Sequence, residues 1–361
     1  DTAELLYDTI IEGMTNSVEF AESVEFKIIT GIRHLPKYEF VKTTVEDAFF
    51  EKLEEGVQNR LVGKVDDLDK YMTELEKECS IIVPNGLCDY FMILWDIMNW
   101  CREHGIMTGS GRGSVCGSLI AYCLYITDVD PLKYNLMFER FLNETRVSGE
   151  RAKSADSLPD IDCDFPVVFR DTVKAYMAKR YGENHVCSVG TYTRMKLKTC
   201  LKDFGKVMGV PFAVMNKLTK DIDDQIEYTW GDLFNYAVLS KNLFRFVQDH
   251  PDLVHMTKFA LTQCKTSSIH PSAVIIVPRE DEDGNPIDIF GWMPVKKMGD
   301  ALVSEWEGKY IDKAGFLKED ILGLNQLDKF SAIIKLIAQN RKKNIDVNTI
   351  PFDDAEVYRY F

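Results

Sequence analysis

The stretch SADSLPDIDCDF (residues 154–165) decides the fold, because its charged and apolar residues alternate with a period of two. Side chains of a β-strand point to opposite faces in turn, so such a segment places its carboxylates on one face and its apolar side chains on the other. The alternation covers residues 160–165: its aspartates are Asp160, Asp162 and Asp164, and its apolar residues are Ile161, Cys163 and Phe165. The segment therefore predicts a strand with its apolar face against a core.

Three carboxylates on one face repel one another, and a divalent cation removes that repulsion. Mg²⁺ prefers carboxylate and phosphate oxygens, and two metals about 3.5–4 Å apart support phosphoryl transfer. Two alternatives stay open. A calcium loop of the EF-hand type fits poorly, because Phe165 stands at its glycine position and Asp171 at its final glutamate position. A solvated acidic strand without a function fits the alternation equally well.

A third metal carboxylate is predicted at Asp320, within the segment GFLKEDILGL (residues 315–324). This acid interrupts an apolar, strand-like run, and burying a lone charge there would be costly unless a metal or a cation compensated it. The alternative is an acid on an edge strand, in contact with solvent.

A glycine-rich loop, TGSGRGSVCGSLIAYCLYI (residues 108–126), is a candidate phosphate site. It matches neither a Walker A loop nor a dinucleotide-binding fingerprint, since the closing G-K-[ST] and the required glycine spacing are missing. Its glycines let backbone N–H groups approach an anion, a helix beginning near Ser114 would add its positive end, and Arg112 could bind phosphate with two N–H groups. The alternative is a tight turn that packs a helix.

A basic stripe is predicted in TRMKLKTCLKDFGKVMG (residues 193–209), where Arg194, Lys198, Lys202 and Lys206 recur every four residues along one helix face. The chain as a whole has a formal net charge of −14, so binding to nucleic acid would depend on local basic patches of this kind. The alternative is a solvated lysine face.

Composition narrows the class of protein further. The chain has 361 residues, enough for two or three domains, and no apolar run of membrane-spanning length. Nine cysteines without a C-x-x-C pair indicate free thiols in a reducing compartment. Helix-like patterns dominate residues 1–85 and 169–255, and strand patterns appear at PSAVIIV (271–277) and ALVSEWE (301–307).

Together these segments resemble the family C replicative DNA polymerases, the polymerase III alpha subunits of bacteria and phages. Three motifs carry the resemblance: GSGRGSVCGSLIAYCLYITDVDPLKYNLMFERFLN, LPDIDCDF and FLKEDILGL. A weaker fourth, SSIHPSAVIIVP, is similar to the family's H-A-G-G-V-V-I. The match extends from about Tyr90 to the end of the chain and covers the preceding helices more loosely.

The resemblance implies an α+β fold: a nucleotidyltransferase-type palm with a mixed β-sheet and flanking helices, and a helical thumb inserted in the palm. The implied regions are a helical N-terminal part (1–85), the first palm segment (86–191), the thumb (192–256), the second palm segment (257–327) and the start of the fingers (328–361).

The family's functional residues carry over as expectations. Asp160, Asp162 and Asp320 match metal ligands and catalytic residues for two Mg²⁺ ions, whereas Asp164 matches an acid without an assigned role. Nucleotide binding is implied for Gly113, Ser114 and Arg140, and Lys318 matches an active-site lysine. To this nucleotide-binding set we add Arg112, whose two N–H groups suit phosphate. We assign DNA binding to His270 and to the basic residues Arg194, Lys198, Lys202 and Lys206.

The implied reaction is template-directed transfer of a nucleotide from a dNTP to a primer 3′-hydroxyl. The implied partners are primer-template DNA, dNTPs, and a sliding clamp and other replisome proteins through regions outside this chain, in a bacterial or host cytoplasm. Two other hypotheses remain: a non-catalytic nucleic-acid-binding relative, and another nucleotidyltransferase with the same palm.

Two departures from the family pattern qualify the expectation. Pro271, Ser272 and Ala273 stand where the family's H-A-G-G-V-V-I has A-G-G after its histidine, and residues 149–158 form a longer link than usual. From the resemblance we expect this chain to lack the family's amino-terminal nuclease-like domain and to stop where the fingers would begin. We therefore expect a palm-and-thumb fragment whose activity in isolation is doubtful.

Overall fold

A computed structural model describes six segments of the chain: residues 2–25, 32–143, 161–234, 240–347, 350–351 and 354–360. Asp160 and the 149–158 link lie outside these residues. All nine cysteines lie within them and are free thiols, as the sequence predicts. No helix in the described segments is both long enough and apolar enough to cross a bilayer.

Six strands form one mixed sheet, in the order β1-β6-β3-β2-β5-β4. The pairs β1–β6 and β2–β5 are parallel, and the other neighbours are antiparallel. Helices flank the sheet, which confirms the predicted α+β fold with a mixed sheet. The strands are β1 (Asp162–Phe165), β2 (Val186–Arg194), β3 (Cys264–Ile276), β4 (Val295–Met298), β5 (Ala301–Ser304) and β6 (Lys318–Gly323).

The α-helices of the described segments precede, interrupt and follow the strands. In chain order they are α1 (Thr2–Glu22), α2 (Val45–Arg60), α3 (Leu68–Ile82), α4 (Cys88–Glu103), α5 (Leu119–Cys123), α6 (Arg170–Tyr181), α7 (Leu197–Val207), α8 (Phe212–Leu218), α9 (Lys241–Asp249), α10 (Pro251–Ala260), α11 (Ile289–Trp292), α12 (Gly308–Ala314), α13 (Asn325–Arg341) and α14 (Ala355–Tyr358).

The sheet is buried on both faces along the last five residues of β3, 272–276, which explains the apolar run in PSAVIIV. Val274 and Ile276 belong to the large core under α2–α6, whereas Ala273 and Ile275 face a smaller cluster with α11 and α12. The apolar residues of the opening stretch join the large core, as predicted. They are Ile161, Cys163 and Phe165, which expose 1%, 5% and 0% of their surface.

Four helices, α7 to α10, are inserted between β2 and β3 and pack around an apolar cluster of their own. This cluster includes Leu197, Leu201, Met215, Leu243 and Leu253, all of which are buried. The helical insertion within the sheet confirms that part of the predicted fold. The residue limits given to the five regions of the chain stay predictions.

The helix α4 is largely apolar, and the one acid in its centre has a structural role. Asp96 is buried and accepts hydrogen bonds from Tyr176 Oη (2.7 Å) and Tyr181 Oη (3.0 Å) of α6. Arg180 of the same helix lies 3.0 Å from the Asp96 carboxylate. These contacts satisfy a charge that would otherwise be costly in the core, and they fix α4 against α6.

Candidate active site

Two of the three predicted metal carboxylates lie side by side in the sheet. Asp162 begins β1 and pairs in register with Asp320 of β6. Adjacent strands are about 4.8 Å apart, and in-register residues point to the same face, so these carboxyl groups share one surface. Because β6 lies between β1 and β3, Asp320 is buried and the alternative of an edge-strand acid in solvent is wrong.

The third predicted ligand, Asp160, lies outside the described residues, so its position relative to the pair stays a prediction. Among the described residues, no group of three or more histidines, cysteines and acids is arranged to hold a metal ion. Asp164 follows Asp162 by two residues on β1 and faces the same side, with 14% of its side chain exposed.

Basic side chains lie against each of the described carboxylates. Lys318 Nζ is 3.0 Å from Asp320 Oδ2, and both residues are on β6. Arg112 reaches the other strand, with Nε 3.6 Å from Asp162 Oδ2 and Nη1 3.6 Å from Asp164 Oδ1. These contacts reduce the repulsion among the carboxylates. The contacts of Arg112 join residues that are about 50 positions apart in the sequence.

The glycine loop is attached to the carboxylate strand through its backbone. Gly109 donates its N–H to the carbonyl oxygen of Asp164 (2.9 Å). Gly111 and Gly113 have φ angles of 127° and 68°, which disfavour any other residue. The predicted helix start near Ser114 is wrong: a 3₁₀ turn covers Gly113–Gly117, and α5 begins only at Leu119. The extended backbone of Ser118 separates the two, and its side chain caps α5.

We expect Gly109→Ala to destabilise the contact between the loop and β1. A Cβ atom at this position would lie 2.7 Å from the Cβ of Asp164, so the loop or the strand must move. Such overpacking costs about 1–3 kcal/mol, which urea unfolding would measure. Gly13→Ala in α1 is the control, because a Cβ there meets nothing within 4 Å. Equal stability of the Gly109 variant and the wild type would show that the loop is not docked.

A buried carboxylate that the sequence analysis missed holds the far end of the loop. Glu78 of α3 is fully buried and accepts hydrogen bonds from Ser118 Oγ (2.7 Å), Leu119 N (2.7 Å) and Ile120 N (3.0 Å). Burial raises the pKa of Glu78 to about 7, and these hydrogen bonds oppose the shift. In the sequence, Glu78 is one acid among several in an acidic helix, and nothing local marks it.

Arg60 of α2 holds the segment that follows α5. Its Nη1 donates to the carbonyl oxygens of Tyr122 (2.8 Å) and Thr127 (2.7 Å), and its Nη2 forms an ion pair with Asp128. Asp128 N in turn donates to Ser110 O (2.6 Å) of the glycine loop. The sequence signal for this contact was the T-D-x-D element, residues 127–130, which follows the loop. That Arg60 of α2 would be the partner of Asp128 could not be identified from the sequence.

The predicted phosphate-binding residue Arg140 lies in a turn that packs against the glycine loop. It ends the 3₁₀ turn Phe138–Arg140, and its side chain is exposed. The two segments are in close contact, since a Cβ on Gly117 would lie 2.6 Å from the carbonyl oxygen of Met137. Gly113 and Ser114 are exposed as well, so the surface of the loop is open to a ligand.

His270 lies on β3, next to the strand that carries Asp320. Its Nδ1 accepts the backbone N–H of Ala273 (2.9 Å), and Ala273 pairs in register with Asp320. Burial lowers the pKa of His270, and the negative charge of Asp320 opposes the shift. The contact with DNA that we assigned to His270 stays a prediction.

The basic stripe is only partly helical. Arg194 is the last residue of β2 rather than part of α7, and its Nη2 lies 3.3 Å from Glu307 Oε2. Lys198 is paired with Asp224 at 3.2 Å. Lys202 and Lys206 remain on one face of α7, and Lys206 is exposed. The prediction that Arg194 shares this helix face is therefore wrong, because the extended backbone at Lys196 delays the start of the helix.

Comparison with known proteins agrees with the family resemblance that the sequence motifs indicate. Residues 47–323 match the family model described as the bacterial DNA polymerase III alpha NTPase domain. The chain is 31% identical over 98% of its length to a DNA polymerase III subunit alpha of Buchnera aphidicola, and 30% identical over 98% to that of Escherichia coli K12. The subunit of Ureaplasma parvum is 30% identical over 90% of the chain. The chain spans 30–32% of the length of these relatives.

Proposed function

Because the chain belongs to the family of the bacterial DNA polymerase III alpha NTPase domain, we propose that it carries the nucleotidyl-transfer site of a replicative DNA polymerase. In this reaction a primer 3′-hydroxyl attacks the α-phosphorus of a dNTP, and pyrophosphate leaves. The observation that carries the proposal is the in-register pairing of Asp162 with Asp320 beside the glycine loop. The pairing places two carboxylates on one face of the sheet. The hydrogen bond from Gly109 to Asp164 attaches a loop suited to phosphate to the same strand.

We propose that Asp160, Asp162 and Asp320 hold two Mg²⁺ ions. The described members of this set fit a hard cation, because they present carboxylate oxygens from adjacent strands on one face. When bound, the ions would supply Lewis acidity for the attacking hydroxyl and for the leaving pyrophosphate. The site residues themselves would hold and orient these groups on a rigid sheet.

The basic residues of the site would bind the triphosphate. Arg112 stands between the loop and β1, where its guanidinium could exchange carboxylate oxygens for two phosphate oxygens. Lys318 and Arg140 would offset the negative charge that develops as the phosphorus–oxygen bond to pyrophosphate breaks. Gly113 and Ser114 would contribute contacts from the exposed start of the 3₁₀ turn.

We propose primer-template DNA as the second substrate, read by base pairing while the protein contacts mainly the backbone. Lys202 and Lys206 of α7 are the best-placed members of the basic stripe, since Lys198 is already paired with Asp224. Arg194 and His270 complete the proposed DNA-binding set. A sliding clamp, other replisome proteins and a cytoplasmic location remain proposals that follow from the family.

Primer extension tests this function. The chain, in its full-length context, is given a primed template, Mg²⁺ and one dNTP at a time. We expect the primer to grow only with the dNTP that is complementary to the next template base. Primer-template binding without growth would instead support a non-catalytic relative, and growth regardless of the template would support another nucleotidyltransferase.

A charge-reversal experiment tests the DNA contacts. We expect Lys202→Glu with Lys206→Glu to weaken primer-template binding and to reduce the slope of log K against log salt by about one unit for each lost phosphate contact. The control is Lys42→Glu with Lys70→Glu, which changes the net charge equally at exposed positions of the N-terminal region. An unchanged slope in the α7 variant would mean that its lysines form only a solvated face.

A further inference from the structure

Ser272 is in direct contact with the candidate metal ligand Asp320. Its Oγ donates a hydrogen bond to Asp320 Oδ1 (3.2 Å), and Ser272 exposes only 5% of its surface. The other carboxylate oxygen, Oδ2, faces Lys318 Nζ at 3.0 Å. The two oxygens of Asp320 therefore have different partners, which fixes the plane of the carboxyl group.

The backbone that carries Ser272 is itself held in place from three sides. His270 Nδ1 accepts the N–H of Ala273, Lys174 Nζ donates to the carbonyl oxygen of Pro271 (3.0 Å), and Ala273 pairs with Asp320 in the sheet. Because the backbone is fixed, the hydroxyl group of Ser272 can adopt few positions. Asp320 is the stronger acceptor within its reach, since His270 Nδ1 is 3.4 Å from Ser272 Oγ and carries no full negative charge.

We propose that Ser272 is a positioning residue for Asp320, one that orients the carboxylate for a divalent cation. This inference rests on the proposed function and adds to it a residue at a position where the family usually has glycine. Hydrogen bonds to a ligating carboxylate orient the ligand, and their loss typically weakens metal binding by about 10–100-fold. A glycine or an alanine at this position would remove the hydrogen bond to Asp320 Oδ1, and of these two contacts only the one with Lys318 would remain.

Binding of Mn²⁺ by itself, followed through the loss of its free EPR signal, tests the inference on the folded chain without turnover. We expect Ser272→Ala to weaken Mn²⁺ binding by about tenfold. Ser272→Gly should have the same effect, because it removes the same hydroxyl. Raising the Mg²⁺ concentration should then restore the rate of primer extension by the Ser272 variants. A general loss of folding would not be reversed in this way.

Two further variants separate the possible outcomes. Ser304→Ala removes another fully buried serine hydroxyl of the same sheet, one that donates to Trp306 O, and it should leave Mn²⁺ binding unchanged. Asp320→Asn should abolish binding at this site. If Asp320→Asn abolishes binding while Ser272→Ala matches the wild type, the role of Ser272 is refuted and the proposed function stands. If Asp320→Asn also binds Mn²⁺ like the wild type, the metal site itself fails.

Discussion

Replacing Asp320 by asparagine is expected to lower the rate of nucleotide incorporation by about a thousandfold, or about 4 kcal/mol of transition-state stabilisation. Asparagine keeps the volume of the side chain but removes its negative charge, so a cation loses a ligand while the packing of β6 between β1 and β3 is preserved. Single-nucleotide extension under saturating dNTP measures the rate. Urea unfolding of the same variant checks that the sheet is intact.

The same change at Asp162, the in-register neighbour on β1, should have a comparable effect, and we expect the same of Asp160. Asp164→Asn is the matched control on the same strand. Its side chain contacts Arg112, and Asp164 is not among the metal ligands that we propose, so its effect should be milder. Extension by the Asp320 or Asp162 variant at a rate near that of the wild type would contradict the assignment of the site.

At pH 4.5, Glu78→Ala is expected to lower the free energy of unfolding by about 3–5 kcal/mol, because three buried donors lose their acceptor at once. These donors are Ser118 Oγ and the N–H groups of Leu119 and Ile120, where α5 begins behind the glycine loop. Denaturant unfolding measures the loss. Glu76→Ala, an exposed position of the same helix, should change stability little. Equal losses in the two variants would refute the role of Glu78.

The same residue predicts a dependence of stability on pH. Burial raises the pKa of Glu78 from 4.5 to about 7, so between these values the folded chain retains a proton that the unfolded chain releases. The contribution of Glu78 is therefore present below pH 4.5 and is lost as the pH rises towards 7, by about 3 kcal/mol. We expect Glu78→Gln, which has no proton to lose, to gain stability relative to the wild type across this range.

Local patterns predicted the parts of the site that depend on local geometry. The alternation of Ile161, Cys163 and Phe165 with aspartates requires only the two-residue period of a strand, and the structure buries all three apolar side chains. The acid in β6 was recognisable because Asp320 interrupts an apolar run. That Asp320 would share a site with Asp162 was implied by the family resemblance and not by either segment alone, and the in-register pairing of their strands was not predicted.

Other features depend on distant partners or on where an element begins, which local patterns do not determine. The burial of Glu78 results from its contact with a helix start about 40 residues later in the chain. Arg194 fits the four-residue repeat of α7, yet β2 continues through it to pair with Cys264. Ser114 follows glycines that suit a helix start, but Ser118 is the residue that caps the α-helix. In each case a tertiary contact or a backbone change overrides the local signal.

The helical insertion, α7 to α10, begins and ends at neighbouring positions of the sheet. Arg194, the last residue of β2, is paired with Cys264, the first residue of β3, so the two ends of the insertion are neighbours. A segment whose ends already meet can be lengthened, shortened or exchanged for a tight turn without altering the path of the strands. This architecture therefore separates two kinds of evolutionary change. The helices of the insertion, which we propose to contact DNA, can be remodelled, while β1 and β6, the strands that bear Asp162 and Asp320, keep their register.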